Sequence, residues 1–299
     1  MPKIKRFFKV DLIPAIKRLE IVSKGLVNTR IIGNYLSVFR GRGLEFEDYT
    51  TYTPDYDSRA IDWKASARAS NLLMREYIEE RDLNIFFVID ASSNMLFGST
   101  NKLKIEYSIE LIAGLTHAAL ESGDRVGFVL VSDKIVKKLY PDKGKKQFYA
   151  ISKLLLNVED YGGKFNFKDA ATFLINYLHE STIVIIVSDF ANFKQEYEKE
   201  LKLISKKFDV IGIMIKDPID KALPKQKVQI VIADSAGKKT MVIDPSLISQ
   251  AYEREMREQE KKIHDLFSRA GADFLNIQTD KSYVGPLIKL FRLRALKWK

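Results

Sequence analysis

From Asn84 onward, short apolar runs alternate with stretches of helical periodicity, and this alternation restricts the chain more than any other feature. "NIFFVID" (84–90), "RVGFVLVSD" (125–133), "TIVIIVSDF" (182–190), "DVIGIMIKD" (209–217) and "ADFLNIQTD" (272–280) are apolar nearly throughout. Runs of this kind suit strands covered on both faces. Between them lie helical patterns. In 102–124, Ile105, Ile109, Ile112, Leu115 and Ala119 recur at helical spacing and Gly123 closes the run. Residues 147–158, 167–180, 195–208 and 246–271 read as further helices, and the basic tail as a last one. "KIVKKLYP" (134–141) reads as a ladder partner of the strand before it, and 227–244 as a hairpin turning at Gly237. The expected fold is α/β, a mainly parallel doubly wound sheet with helices on both faces.

Ligands of such sheets bind beyond the carboxyl ends of the strands, near the point where strand order reverses. Two strands, "FVID" and "IVSD", leave the sheet on an aspartate. If those strands are neighbours, Asp90 and Asp189 share one rim. Asp90 is followed by "ASSN", a run whose side chains also cap helix amides.

Composition removes several chemistries. The 299 residues contain no cysteine, which excludes disulfides, thiolate nucleophiles and cysteine-held metals and favours a cytoplasmic setting. The three histidines, His117, His179 and His264, are far apart and lack metal-ligand spacing. No GxxxxGK[ST] loop follows a strand, no Gly-x-Ser-x-Gly elbow is present, and Ser92 stands where an aspartyl phosphotransferase needs a second carboxylate. No apolar run reaches the ~20 residues of a membrane span, and the N-terminus lacks a signal-peptide core. The net charge of +10 favours an acidic partner.

Residues 1–83 differ from the rest. They begin helical, break up at Gly33, Gly41 and Gly43, and continue into a Tyr- and Thr-rich stretch interrupted by Pro54. A helix and a small strand-bearing accessory element are expected over 1–83, with the main domain over 84–299.

Within this segment, Gly41, Gly43, Glu45, Phe46, Tyr52, Pro54, Asp57, Arg59, Ile61, Asp62, Trp63, Lys64, Ala65, Ser66, Ala67 and Arg68 form a pattern. Together with "FVIDASSNM" and "SGDRVGFVLVSD", it resembles the bacterial and archaeal family catalogued as domain of unknown function 58, a branch of the von Willebrand factor A-like proteins. The resemblance implies a von Willebrand A-type sheet. It also implies a non-enzymatic adaptor acting with a MoxR-type AAA+ ATPase in the assembly or maturation of a protein complex, with a client the sequence does not name. The chain departs from the family pattern at Thr50, Asp55 and Tyr56.

The von Willebrand A metal site is Asp-x-Ser-x-Ser with a distant threonine and a second aspartate, a set of oxygen ligands suited to Mg²⁺. Carried onto this chain, Asp90 and Ser92 fill the first two roles and Asp189 the last. Asn94 replaces the second serine, and Lys164, in "YGGKFNF", replaces the threonine. The site is therefore read as degenerate. A lysine ammonium beside two aspartates relieves their repulsion, so Lys164 is expected to substitute for the metal and no cofactor is assigned; Mg²⁺ binding is the alternative. The rival function is a metal-dependent hydrolase using Asp90 and Asp189.

Glu45, Asp57, Arg59, Asp62, Trp63, Lys64 and Arg68 read either as a structural network with Trp63 in a core or as a docking surface for the ATPase, the structural reading being preferred. The tail "PLIKLFRLRALKWK" carries five basic residues and no acid, with Ile288, Phe291, Ala295 and Trp298 at helical spacing. Packing on the sheet is its ordinary role. Attachment to an anionic membrane surface, on the inner face, is the second. No recognition helix, zinc or aromatic RNA motif speaks for nucleic acid.

Overall fold

A computed structural model describes residues 45–53, 57–78, 83–223, 230–233 and 240–297. Its centre is a six-stranded sheet of β3 (Asn84–Asp90), β4 (Arg125–Val131), β5 (Ile135–Asp142), β6 (Thr182–Ser188), β7 (Asp209–Lys216) and β10 (Asp273–Gln278). The order is β10-β7-β6-β3-β4-β5, parallel throughout except for the antiparallel β4–β5 pair at one edge. Chain connections run outward from β3 in both directions, so strand order reverses between β3 and β6.

Alternation along each strand builds two cores. Ile85, Phe87 and Ile89 of β3 face one way, with Ile183, Ile185 and Val187 of β6 and Ile211, Ile213 and Ile215 of β7. Helices α2 (Lys104–Glu121), α3 (Gly144–Leu155) and α7 (Val284–Lys297) cover that face with residues such as Ile112, Ile151 and Phe291. Phe86 and Val88, Val184 and Ile186, and Val210 and Met214 face the other way. Helices α4 (Phe167–Tyr177), α5 (Glu198–Lys207) and α6 (Pro245–Arg269) cover them with Phe173, Leu201 and Phe267. Strands buried on both faces cannot alternate apolar with polar residues, which is why these runs are continuous. Gly212 on β7 is required by packing. A Cβ there would meet the Phe267 ring at 2.4 Å, and Phe267 has no other place in a core it shares with Phe190 and Phe274.

A hairpin of β8 (Ile230–Ala233) and β9 (Thr240–Ile243) lies in sequence between β7 and α6. Its turn at Gly237 lies outside the described residues, as do the N-terminal helix expected before residue 45 and Trp298 of the tail. The accessory element is a two-stranded antiparallel sheet, β1 (Glu45–Thr51) with β2 (Leu73–Ile78), joined through α1 (Trp63–Ala69). Its local logic is readable. The Asp62 carboxylate caps α1 by accepting from the amides of Lys64 and Ala65 at 3.0 and 3.1 Å. Ser66, one turn on, ties the helix to β2: its hydroxyl accepts from the Leu73 amide at 2.8 Å and donates to the Asp62 carbonyl at 2.7 Å.

The basic tail packs on the sheet. Phe291 is buried, and Arg294 is 2 % exposed. The Arg294 guanidinium bonds Asp209 and Asp273, which open β7 and β10. One cation thus holds the amino ends of two adjacent strands. Replacing Arg294 with methionine strands two partly buried carboxylates, so a loss of about 3 kcal/mol in unfolding free energy is expected, read by urea denaturation; replacing Arg292, which is exposed, should change it by less than about 0.5 kcal/mol.

Candidate functional site

Parallel pairing in register brings the two rim aspartates together. Ile89 of β3 pairs with Val187 of β6, so the next residue, Asp90, comes level with Ser188, and Asp189 follows directly. Both carboxyls are about 2 % exposed. The Ser188 hydroxyl donates to Asp90 Oδ2 at 2.5 Å, and the Ser92 amide donates to Asp90 Oδ1 at 2.7 Å. Asp189 accepts from the Ala191 amide at 2.9 Å. Burial pushes the Asp90 carboxyl up to about 7, and the neighbouring Asp189 charge pushes the same way; the hydrogen bonds from Ser188 and Ser92 oppose the rise.

The ammonium at this rim is not that of Lys164. Lys164 is exposed, its backbone amide bonds Asp133 at 3.0 Å, and among the described residues its side chain makes no ion pair. Its loop does reach the rim: the Gly162 amide donates to the Ala91 carbonyl at 2.8 Å, and the Gly163 carbonyl accepts from Ser93 at 3.0 Å. Those two contacts fix the glycines, whose φ values are +152° and +73°, and the chain then turns outward before the lysine. The cation is Lys104, the first residue of α2. Its Nζ lies 2.6 Å from Asp189 Oδ2 and 3.1 Å from Asp220 Oδ2, and the residue is 3 % exposed. Burial alone would depress this amine. The charges of Asp189 and Asp220 outweigh that and raise it.

The third parallel strand adds more of the same chemistry. Asp217 follows β7, is fully buried, and accepts from the Ser99 amide at 2.7 Å, from the Ser99 hydroxyl, and from the Ile219 amide at 3.0 Å. It thereby clamps the loop before α2 to the end of β7. Asp220 accepts from the Asp217 amide at 3.0 Å while holding Lys104. Lys216, 5 % exposed, is depressed by burial against the pull of Asp189 and Asp220. Asn94 lies half-buried in the short turn Ser93–Leu96.

Lys104, Ser188, Asp217 and Asp220 were not singled out from the sequence. Asp217 carried the same signal as the other two, an aspartate closing an apolar strand. Lys104 was visible in the periodicity of its helix: Lys104, Ser108, Leu111 and Leu115 follow the buried stripe, and all four are buried.

This donor set does not fit a divalent cation as it stands. All four oxygens of Asp90 and Asp189 already accept from protein donors, and one donor is itself a cation. Among the described residues no three acidic or histidine side chains gather as a ligand group. The Ser92 hydroxyl, buried beside Asp90, is the one feature that suits a metal. A cleft of about 440 Å³ opens beside the rim, lined by Asp133, Lys164, Asn166, Asn192, Phe193 and Tyr197.

The signature segment contradicts the expectation of a buried tryptophan. Trp63 is 68 % exposed, with Leu72 at 46 % and Tyr49 at 40 %. Arg59, Lys64 and Arg68 are exposed as well, and among the described residues none makes an ion pair. The acids are the structural members: Asp57 accepts from the Arg59 amide at 2.9 Å and Asp62 caps α1. The side chain of Glu45 lies outside the description.

The family model described as "Protein of unknown function DUF58" matches residues 48–262. The chain belongs to this family. An uncharacterized protein of Mycobacterium tuberculosis, Rv1480, is 22 % identical to this DUF58 protein over 286 residues, 95 % of this chain and 90 % of the relative. An aerotolerance-related membrane protein from Bacteroides fragilis is 14 % identical at a TM-score of 0.46, covering 72 % of this chain and 99 % of that one. A von Willebrand factor type A structure from Catenulispora acidiphila is 13 % identical at a TM-score of 0.40, covering 75 % and 44 %. This DUF58 member is built on a mainly parallel six-stranded sheet with helices on both faces.

The raised Asp90 carboxyl has a consequence for stability. Between the ordinary value of 3.8 and about 7, the folded chain retains a proton that the unfolded chain has released. Stability from this group therefore falls as pH rises through that interval, by at most ~1.4 kcal/mol per pH unit, and is level above it. Asp90→Asn should remove that fall. In urea denaturation at a series of pH values, the variant should gain on the wild type from pH 4 to pH 7; parallel curves would contradict the assignment.

Proposed function

We propose that this protein is a non-enzymatic docking module that works with a MoxR-type AAA+ ATPase in the assembly or maturation of a protein complex. The observation that carries this reading is the Trp63 face. A tryptophan 68 % exposed on a seven-residue helix costs hydration free energy in the isolated chain. Tryptophan and arginine are also the side chains that most often dominate binding energy at protein interfaces. Arg59, Lys64 and Arg68 lie close to Trp63 in sequence, are exposed, and make no ion pair among the described residues. The aspartates between them are used, for capping, and the cap fixes where Trp63 and Lys64 stand.

The rim supports the same conclusion from the other side. A hydrolase of the metal-dependent class needs carboxylate oxygens open to a metal, and here both rim aspartates are engaged by protein donors. No described helix is long and apolar enough to cross a membrane. A cytoplasmic location fits this reading, with the tail anchored to the sheet through Arg294 rather than presented to lipid.

The test is binding of the purified full chain to a MoxR-type ATPase from the same genome, by analytical ultracentrifugation or surface plasmon resonance, with nucleotide hydrolysis as a second readout. Trp63→Ala should cost about 2 kcal/mol of binding, roughly thirtyfold in affinity, while leaving the urea midpoint within about 0.5 kcal/mol of the wild type. Equal affinity of wild type and variant would remove Trp63 from the interface. Absence of any complex at micromolar concentrations would remove the ATPase as partner.

A further inference from the structure

We infer that Lys104 is the resident cation of the rim: its ammonium fills, by covalent attachment, a seat that would otherwise take a divalent metal, and it makes the rim independent of metal. This inference stands on the rim alone and does not depend on the docking reading.

Two carboxylate oxygens from different elements, Asp189 Oδ2 after β6 and Asp220 Oδ2 after β7, converge on one nitrogen at 2.6 and 3.1 Å. Convergent acidic oxygens around one point are the geometry of a cation site. The point is mostly withdrawn from solvent: Lys104 and Asp189 are 3 % and 2 % exposed, and the Asp220 side chain, 22 % exposed, forms its outer side. A lysine normally keeps its ammonium in water by extending its stem; this one is held inside. The seat is also positioned by the fold. Lys104 opens α2, Asp189 is fixed through the Ala191 amide, and Asp220 through the Asp217 amide, so all three arrive on backbone-anchored elements.

A divalent ion cannot join this arrangement. Mg²⁺ requires about six oxygens at ~2.1 Å, and the Asp189 oxygen it would share is already in contact with an ammonium. A second buried ammonium, Lys216, lies within the same electrostatic field and raises the cost of any added positive charge. The Ser92 hydroxyl is buried beside Asp90, an oxygen of the kind a hard cation takes. The metal seat is therefore latent. Removing the Lys104 side chain takes away the ammonium that contacts both Asp189 and Asp220, and vacates the point on which their oxygens converge for a dication.

The experiment is titration of the full chain with Mn²⁺, followed by electron paramagnetic resonance of free Mn²⁺ and by thermal melting, for the wild type and Lys104→Ala. The wild type should show no saturable binding below millimolar Mn²⁺ and no shift in melting temperature. Lys104→Ala should bind Mn²⁺ saturably, at least tenfold tighter than the wild type, and should melt several degrees higher with Mn²⁺ than with chelator. A variant that folds only when Mn²⁺ is present supports the inference equally. Micromolar Mn²⁺ binding by the wild type, lost in Asp189→Asn, would overturn it. So would a folded Lys104→Ala protein indifferent to Mn²⁺. If the variant folds in neither condition, the wild-type titration with its Asp189→Asn control decides alone: saturable binding overturns the inference, and its absence upholds it.

Discussion

The parallel ladder between β3 and β6 is the constraint on which the rest of the rim depends. Because Ile89 pairs with Val187, two strands that are distant in sequence end at the same height. Their carboxyl ends then place Asp90, Ser188 and Asp189 within one buried volume. A register shift of one residue would turn each of these side chains to the opposite face. Such a shift is prohibitive here, because both faces of β3 and β6 are fully packed and would exchange Phe86 and Val88 for Phe87 and Ile89. Core packing, not the polar groups themselves, sets the geometry of the polar site.

Given that geometry, electrostatics leaves few arrangements. Two carboxylates buried side by side in a low-dielectric rim cannot both remain charged without compensation. The two are treated differently. Asp189 is met by the Lys104 ammonium, whereas the Asp90 carboxyl is pushed up to about 7 by burial and by the neighbouring Asp189 charge. The Ser188 hydroxyl, which donates to Asp90 Oδ2, also accepts from the Phe190 amide at 2.9 Å. One serine thus connects the carboxyl of the first strand to the backbone that carries the second, and Phe190 can hold its positive φ of 53° only because the turn is so tied.

The order of strands and helices was readable because buried parallel strands must be continuous in apolar residues and amphipathic helices must not be. The convergence of Asp90 and Asp189 followed from the same reasoning. The source of the cation did not. Lys164 had been assigned by matching a loop to the position of a threonine, and the loop does arrive, but backbone contacts of Gly162 and Gly163 stop one residue short and the lysine continues outward. Lys104 sits inside a helix that periodicity had read as a hydrophobic stripe, and a lysine within such a stripe is the stronger signal. The signature segment misled in a related way. Its charge density suggested a network enclosing Trp63, yet capping consumed the aspartates locally, each bonding amides two or three residues ahead. Among the described residues these short-range caps occupy Asp57 and Asp62, and the tryptophan stays outside.

The net charge of +10 takes on a different meaning once its members are located. Three of the cations are interior: Lys104 and Lys216 at the carboxyl end of the sheet, and Arg294 at the amino end. Arg294 belongs to the basic tail, the segment that most suggested a lipid surface, and it is bound to Asp209 and Asp273. A helix whose buried arginine holds two strands together is committed to the sheet. The positive charge that stands uncommitted near an apolar anchor in sequence is at Arg59, in the short turn Ser58–Ala60, and at Lys64 and Arg68, on the capped helix that Trp63 opens. A fluid anionic bilayer does not require fixed spacing of charges, because its headgroups rearrange, whereas a folded acidic surface does. A tryptophan and two cations carried on one capped helix, with a third cation in the turn before it, are therefore a better match to a protein partner than to a membrane.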